Sequence, residues 1–324
     1  MRRVLNFGIL GAGKIANRFT DAFRYVEGAA VLAAASRDQQ KAQAFADKHQ
    51  IKKAYGSYHD LIHDPEVDIV YVATPHPFHH EHTLLCLNGG KAVLCEKPMA
   101  MNLTQAKEMT DTARKKNLFL MEGMWSRFFP SLLKAQELIA SGVIGQIQYV
   151  HADFGFSAPV NLEGRVYNMA LGGGAQLDVG VYPLFLVLCL LGKPVEIKAM
   201  STKASTGADT TTSAELKFAS GAIGHIFSSI VADSPKDAHI VGDKGRLILQ
   251  APWHKSETVS FLPNGGERQD FRYPHSGNGF EFQIRAVVES LNAGKKECDL
   301  MPHSLSLNMA EVADEILRQA EVRY

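Results

Sequence analysis

At 324 residues the chain exceeds what one ordinary hydrophobic core supports, so two domains are expected. Hydrophobic residues make up 46% and charged residues 21%, which excludes a disordered or fibrous chain. Lys plus Arg and Asp plus Glu both total 34, so net charge points to neither a nucleic-acid nor an anionic-membrane partner.

The N-terminal part alternates short apolar runs with amphipathic stretches. The runs at 4–10, 29–35, 69–73, 92–95 and 118–121 are continuous, the pattern of strands buried on both faces of a parallel sheet. Helical spacing fills 15–25, 39–49 and 103–116, and Asn102 with Gln105 forms a capping-box variant at the start of the last. This βαβα order predicts a doubly wound α/β domain of Rossmann type over 1–122.

The pattern changes after Met121. Helices are expected at 131–141, ended by Gly142, and at 173–191. Segments rich in Thr, Val and Ile follow at 196–205, 210–218, 222–233, 238–241 and 246–250, separated by turn signals such as Ser220-Gly221 and Asn264-Gly265-Gly266. The expectation for 123–324 is an α+β domain: a large, mostly antiparallel sheet with helices on one face, and a helix at 305–320. The apolar stretch 179–191 is too short to span a bilayer and contains Pro183, so no membrane partner is expected. Cys86, Cys95, Cys189 and Cys298 form no CxxC pair and read as reduced core residues. Because Asn6 and Gly8 interrupt the apolar run after Met1-Arg2-Arg3, a signal peptide is rejected, and a cytoplasmic location is expected.

The first run leads into Gly11-Ala12-Gly13-Lys14-Ile15-Ala16, a G-x-G-x-x-A fingerprint between a strand and a helix. Gly11 permits the tight turn, Gly13 lets a pyrophosphate approach the backbone, and Ala16 lets helix and strand pack closely. The second run ends in Ser36-Arg37. A carboxylate there would suit the ribose hydroxyls of NAD, whereas a hydroxyl and a guanidinium suit the 2′-phosphate of NADP(H). The competing reading leaves Arg37 in solvent and gives the ribose to Asp38.

Three further motifs carry a family resemblance. Thr74-Pro75-His76-Pro77-Phe78-His79 follows the third of the five runs, and Cys95-Glu96-Lys97-Pro98 ends the fourth. Gly172-Gly173-Gly174-Ala175-Gln176-Leu177-Asp178-Val179-Gly180-Val181-Tyr182-Pro183 lies downstream. With the glycine loop, these resemble the Gfo/Idh/MocA oxidoreductases over nearly the whole chain. Ala54-Tyr55-Gly56-Ser57-Tyr58 and the run from Phe119 to Pro130 are similar to the subgroup of dihydrodiol and NADP-dependent xylose 1-dehydrogenases. Inositol-dehydrogenase-like members carry Asn where this chain has His76, and His where it has Tyr182.

The resemblance implies a cofactor site including Thr74, Pro75, His76, His79, Glu96, Lys97 and Arg127, and a substrate pocket lined by Trp125 and Phe154. Ordinary core packing is the competing reading for the two aromatics, and a structural ion pair for Arg127. Oxidising a hydroxyl by hydride transfer requires a base. Tyr182 is the candidate, since a cation such as Lys97 favours the phenolate. If the segment is α-helical, Asp178 and Tyr182 share a face, and Asp178 orients the substrate or Lys97. The bland readings are a core tyrosine and an exposed lysine.

His76, His79, His80 and His82 raise the question of a metal. One helix face does not bring three of these rings to a tetrahedral ion and no cysteine is near in sequence, so none is expected. The expected function is hydride transfer between NADP(H) and a CH–OH or carbonyl group of a cyclic trans-diol or sugar. The alternatives are an NADPH-dependent reductase of sugar-derived dicarbonyls and a non-catalytic dinucleotide sensor. A homodimer is expected through the open face of the C-terminal sheet, with Ile226, Phe227, Ile230 and Val231 as its apolar contribution.

Overall fold

The computed structural model describes residues 3–324, which form two compact units. The first holds the chain up to Trp125 together with His275–Ser306; the second holds Ser126–Pro274 and Leu307–Tyr324. The division is therefore discontinuous, whereas the sequence reading cuts the chain once, after 122.

In the first unit, strands β1 (Leu5–Leu10), β2 (Ala29–Ala35), β3 (Lys53–Tyr55), β4 (Ile69–Val72), β5 (Ala92–Glu96) and β6 (Leu120–Gly123) alternate with helices. These are α1 (Lys14–Asp21), α2 (Gln39–His49), α3 (Tyr58–His63), α4 (His79–Asn88) and α5 (Leu103–Lys115). The strands pair in parallel in the order β3-β2-β1-β4-β5-β6. The order runs outward from β1 in both directions, which is the doubly wound arrangement, with its ligand crevice beyond the strand carboxyl ends beside β1. All four residues of β4 and all five of β5 are buried, as continuous apolar runs require. Asn102 accepts from the Gln105 amide at the start of α5, and Gln105 returns a bond to the Met101 amide, one residue earlier than a standard capping box.

The second unit contains α6 (Pro130–Ala140), β7 (Ile147–Gly155), α7 (Val181–Leu191), β8 (Glu196–Lys203), β9 (Asp209–Lys217), β10 (Ile223–Ser229), β11 (Ala238–Gly242), β12 (Gly245–Leu249), β13 (Thr258–Pro263) and β14 (Gln269–Arg272). Its sheet runs β14-β13-β12-β11-β7-β10-β9-β8 and is antiparallel except where β10 meets β7. The chain then returns to the first unit through α8 (Phe280–Asn292), which packs on α1: the Phe280 ring meets Phe19 edge-on at 5.9 Å, and Asn278 donates to the Arg18 carbonyl. A last helix, α9 (His303–Gln319), runs from the first unit into the second.

Two expectations need correction. The segment 173–191 is not one α-helix: a π-turn spans Gln176–Gly180 before α7 begins. Gly180 makes the wide turn fit, because a Cβ there would meet Gln176 Oε1 at 2.7 Å and Ser228 Oγ at 2.8 Å. The stretch 169–191 is long and apolar enough to cross a membrane, but most of it is buried inside the protein, as in a core helix. Ile226 and Ile230 are also buried rather than displayed on the open face. Along β10 the side chains alternate, so Gly224, Ile226 and Ser228 turn inward while Ile223, His225 and Phe227 stay accessible. Val231 is exposed. All four cysteines are free thiols, three of them buried.

Candidate active site

The glycine loop closes the first βα turn. Gly11 adopts φ +104, a left-handed value that glycine accepts without strain, and a Cβ there would press on Ala73 and Thr74 at 3.1–3.2 Å. Gly13 is the N-cap of α1 and supplies no side-chain cap; a Cβ there would meet nothing within 4 Å. The first turn of α1 contains no carboxylate, and Gly13 and Lys14 are exposed, with Ala12 and Ile15 partly so. The residues fit an anionic pyrophosphate: uncapped N–H groups, open space over Gly13 and no negative charge.

At the end of β2, Asp38 is used locally. It caps α2, accepting from the Gln40 and Lys41 amides at 2.9 and 3.1 Å. Arg37 is exposed and makes no ion pair with a carboxylate among the described residues. A guanidinium is thus what this strand end offers to a ligand.

The turn that carries Lys97 is held from several sides. Lys97-Pro98 is a cis peptide. Upstream, Glu96 is buried and accepts from the Tyr71 hydroxyl and from the Lys97 amide. Burial raises the Glu96 carboxyl, with Tyr71 and Lys97 opposing. Downstream, the Pro98 carbonyl contacts His79 Nδ1 at 2.7 Å, and the Met99 amide donates to Glu122 at 2.9 Å. His79 Nε2 lies 2.8 Å from the Thr74 carbonyl, so this ring sits between the β4 loop and the β5 turn. Burial drives the His79 pKa down to about 4, so at pH 7 the ring is neutral and donates to one carbonyl only. Both nitrogens face backbone, which makes His79 a positioning residue for Lys97. Thr74 Oγ1 bonds His82, His80 on α4 pairs with Glu108 on α5, and His76 is buried beside His79.

Trp125 stacks on Phe280 at 4.7 Å with planes 10° apart, and the Arg18 guanidinium lies 5.7 Å from both rings. These residues all belong to the first unit.

Tyr182, Asp178, Phe154 and Arg127 belong to the second unit. Tyr182 opens α7 directly after the π-turn, and its ring lies 5.2 Å from Phe154 and 5.6 Å from His254. Phe154 and His254 stack at 4.3 Å. His254 is placed by a short 3-10 turn after the cis Ala251-Pro252 bond; Trp253 anchors that turn by donating to the Asp153 carbonyl. Asp178, inside the π-turn, is gripped by Arg165 through two hydrogen bonds of 3.0 Å. Asp209 accepts from the Gln176 amide at 2.7 Å and fixes the start of the same turn. Arg127 is buried and donates to Gln136 at 2.8 Å.

Sequence reasoning did not find Tyr71, Glu122, Arg165, Asp209, His254 or Phe280. Two of them carried a local signal: Tyr71 and Glu122 place a hydroxyl and a carboxylate inside otherwise apolar strands. The other four act only through tertiary position.

Residues 5–124 match the family described as oxidoreductases with an NAD-binding Rossmann fold, and 132–248 match the C-terminal domain of the GFO/IDH/MocA proteins. The chain belongs to this oxidoreductase family. It is 40% identical to trans-1,2-dihydrobenzene-1,2-diol dehydrogenase of Danio rerio, across 99% of this chain and 98% of the relative. Identity to the protein of the same name from Mus musculus is 37%, with the same coverage. Among solved structures it is similar to aldose-aldose oxidoreductase from Caulobacter crescentus complexed with glycerol (TM-score 0.90, 27% identity, 98% of each chain). It is also similar to KijD10, a 3-ketoreductase from Actinomadura kijaniata in complex with NADP and TDP-benzene (TM-score 0.87, 26% identity, 98% of each chain).

Proposed function

We propose that the protein is an NADP(H)-dependent dehydrogenase of CH–OH groups in cyclic trans-diols or aldose sugars, with Tyr182 as proton donor and acceptor and Lys97 as the cation that favours its phenolate. The observation that carries this reading is the investment in presenting Lys97, whose turn is fixed by Tyr71, His79 and Glu122. A dinucleotide sensor has no need of a lysine so constrained. The names of the relatives support the diol class, and the names of the structural neighbours support the sugar class. Variants of the 3-ketoreductase with one tyrosine or one lysine replaced are among those neighbours.

Gly11, Ala12, Gly13, Lys14 and Ile15 hold the pyrophosphate, and Ser36 with Arg37 holds the 2′-phosphate. A bound nicotinamide supplies the hydride acceptor or donor. Thr74, Pro75 and His76 border that end of the cofactor, Glu96 orients the Lys97 backbone, and Trp125 and Phe154 offer apolar walls to a ring-shaped substrate. Asp178, fixed by Arg165, orients a substrate hydroxyl. We further propose a homodimer through the open face of the second sheet, which displays Tyr149, Phe227 and Val231; a monomeric mass in light scattering at micromolar concentration would contradict it.

The test is a turnover screen with NADP and NADPH against pentoses, hexoses, cyclic diols and dicarbonyls. Oxidation of diols or aldoses is expected. Reduction of dicarbonyls alone would favour the reductase reading, and nucleotide binding without turnover across the panel would favour the sensor.

A further inference from the structure

We propose that the open face of the second sheet carries a site for one divalent transition-metal ion, held by His151, Asp153 and Asp237. The site is built by strand register. His151 on β7 sits directly across from His225 on β10 and from His239 on β11. Asp153 lies two residues further along β7 and therefore on the same face. Asp237 immediately precedes β11; since Ala238 pairs with Ala152, Asp237 falls across from Asp153. A His-x-Asp pair on one strand thus faces an Asp-x-His pair running the other way on its neighbour. Ligand atoms of His151, Asp153 and Asp237 all lie within 4.8 Å of one another.

A second observation points to a ligand. Asp153 is 3% exposed, and its Oδ2 accepts from the Lys236 amide at 3.0 Å. Its Oδ1 is buried, has no hydrogen-bond partner among the described residues, and lies 3.8 Å from His151 Nε2. A buried carboxylate oxygen without a donor is costly, and native folds rarely leave one so. A cation shared with His151 and Asp237 satisfies it.

The surroundings prepare the donors for that role. His151 Nδ1 is engaged by His225 Nδ1 at 3.0 Å, and His225 Nε2 by Ser213 at 3.0 Å, which leaves His151 Nε2 turned to Asp153. Ligating histidines are held in this way through the second ring nitrogen. His239 Nε2 contacts Asp237 Oδ2 at 3.1 Å and steers that carboxylate. One neutral imidazole and two carboxylates balance a dication. The mixed nitrogen and oxygen set suits Zn²⁺ or Mn²⁺ rather than Mg²⁺ or Ca²⁺, which favour oxygen ligands. Bonds of about 2.0–2.2 Å require the donors to draw closer than they stand here. The ion clips β7 to β11. This departs from the expectation of no metal, which considered only the histidines of 76–82.

The test is calorimetric titration of the chelator-treated, dialysed full chain with ZnCl₂ at pH 7.5, with MgCl₂ as comparison. The expected result is one saturable Zn²⁺ per chain, no Mg²⁺ binding, and a thermal midpoint that rises with Zn²⁺. Asp237→Asn and His151→Gln should each weaken Zn²⁺ binding at least tenfold, while His80→Gln, which alters a histidine of the first unit, leaves it unchanged. Asp237→Asn alters a partly exposed side chain, so it remains informative even if His151→Gln folds poorly. Absence of saturable Zn²⁺ binding, unchanged affinity in Asp237→Asn, or an equal loss in His80→Gln would overturn the proposal.

Discussion

Arg165 grips Asp178 through two parallel hydrogen bonds, Nη1 to Oδ1 and Nη2 to Oδ2, both 3.0 Å long. The pair joins the segment after β7 to the π-turn that leads into Tyr182. Asp178 is buried while Arg165 is 46% exposed on its side chain, so the carboxylate depends on the arginine more than the reverse.

Arg165→Met should therefore remove two charge-assisted hydrogen bonds from a buried carboxylate and destabilise the protein by about 1–3 kcal/mol, toward the low end because water reaches the arginine side. Adding Asp178→Asn removes the charge that Arg165 balanced, so the double variant should be more stable than Arg165→Met alone. Urea denaturation of the three proteins checks this; a double variant less stable than the single one would count against the pair.

Burial raises the Glu122 carboxyl to about 7, from an ordinary value of 4.5, with the Met99 amide among the groups opposing it. Below pH 4.5 the carboxyl is protonated in both folded and unfolded chains. Between 4.5 and 7 only the unfolded chain ionises it. Above 7 the folded protein carries a buried carboxylate and has lost about 3 kcal/mol relative to acid conditions. Glu122→Gln retains an acceptor for Met99 and does not titrate. Its stability relative to wild type should therefore improve by about that amount between pH 4.5 and pH 8; a pH-independent difference in denaturation midpoints would refute the account.

Gly11 and Gly13 should fail in different ways. Gly11→Ala forces a Cβ into the left-handed region and against Ala73 and Thr74, so folding stability should fall by about 1–2 kcal/mol or more. Gly13→Val meets no protein atom at its Cβ, so the fold should survive while dinucleotide binding is lost. Thermal melts and fluorescence titration with NADPH separate the two outcomes, and a Gly13→Val protein that still binds NADPH would sink the cradle.

Much of the first unit was legible because buried parallel strands read as unbroken apolar runs. The residues 29–35 and 39–49 of β2 and α2 match the expected bounds, and the glycine loop lies where its spacing puts it. No comparable signal marks α4, whose His-His-Glu-His start hides its buried face, or α8, which packs on α1 although 258 residues separate it from that helix's end. The break before Tyr182 was visible only as Pro183 and Gly180; that they yield a π-turn follows from packing against Gln176 and Ser228. Ile226 and Ile230 look alike in composition to exposed neighbours, and only strand register decides which way each faces. Lys97 and Tyr182 stood out through motifs, but Glu122, which fixes the turn after Lys97, and Arg165, which grips Asp178 in the turn before Tyr182, are partners brought by the fold.

The proposed preference for NADP over NAD rests on Arg37. Arg37→Asp should weaken NADP binding by a charge-assisted contact worth about 1.5–3 kcal/mol, roughly 10- to 100-fold, and leave NAD binding much less affected. Dissociation constants for both nucleotides check it. Equal affinity of the wild type for NADP and NAD would contradict the preference.

The central claim is that Tyr182 moves the proton, and Tyr182→Phe tests it most directly because the ring stays beside Phe154 and His254 while only the hydroxyl is lost. Turnover should be measured on a substrate for which chemistry is shown to limit the rate, with NADPH binding followed in parallel. The account predicts unchanged folding and nucleotide binding with a rate lowered by about 10²–10⁴-fold, the usual contribution of positioned proton transfer. A Tyr182→Phe enzyme that turns over at near wild-type rate would contradict it and remove Tyr182 from the chemistry.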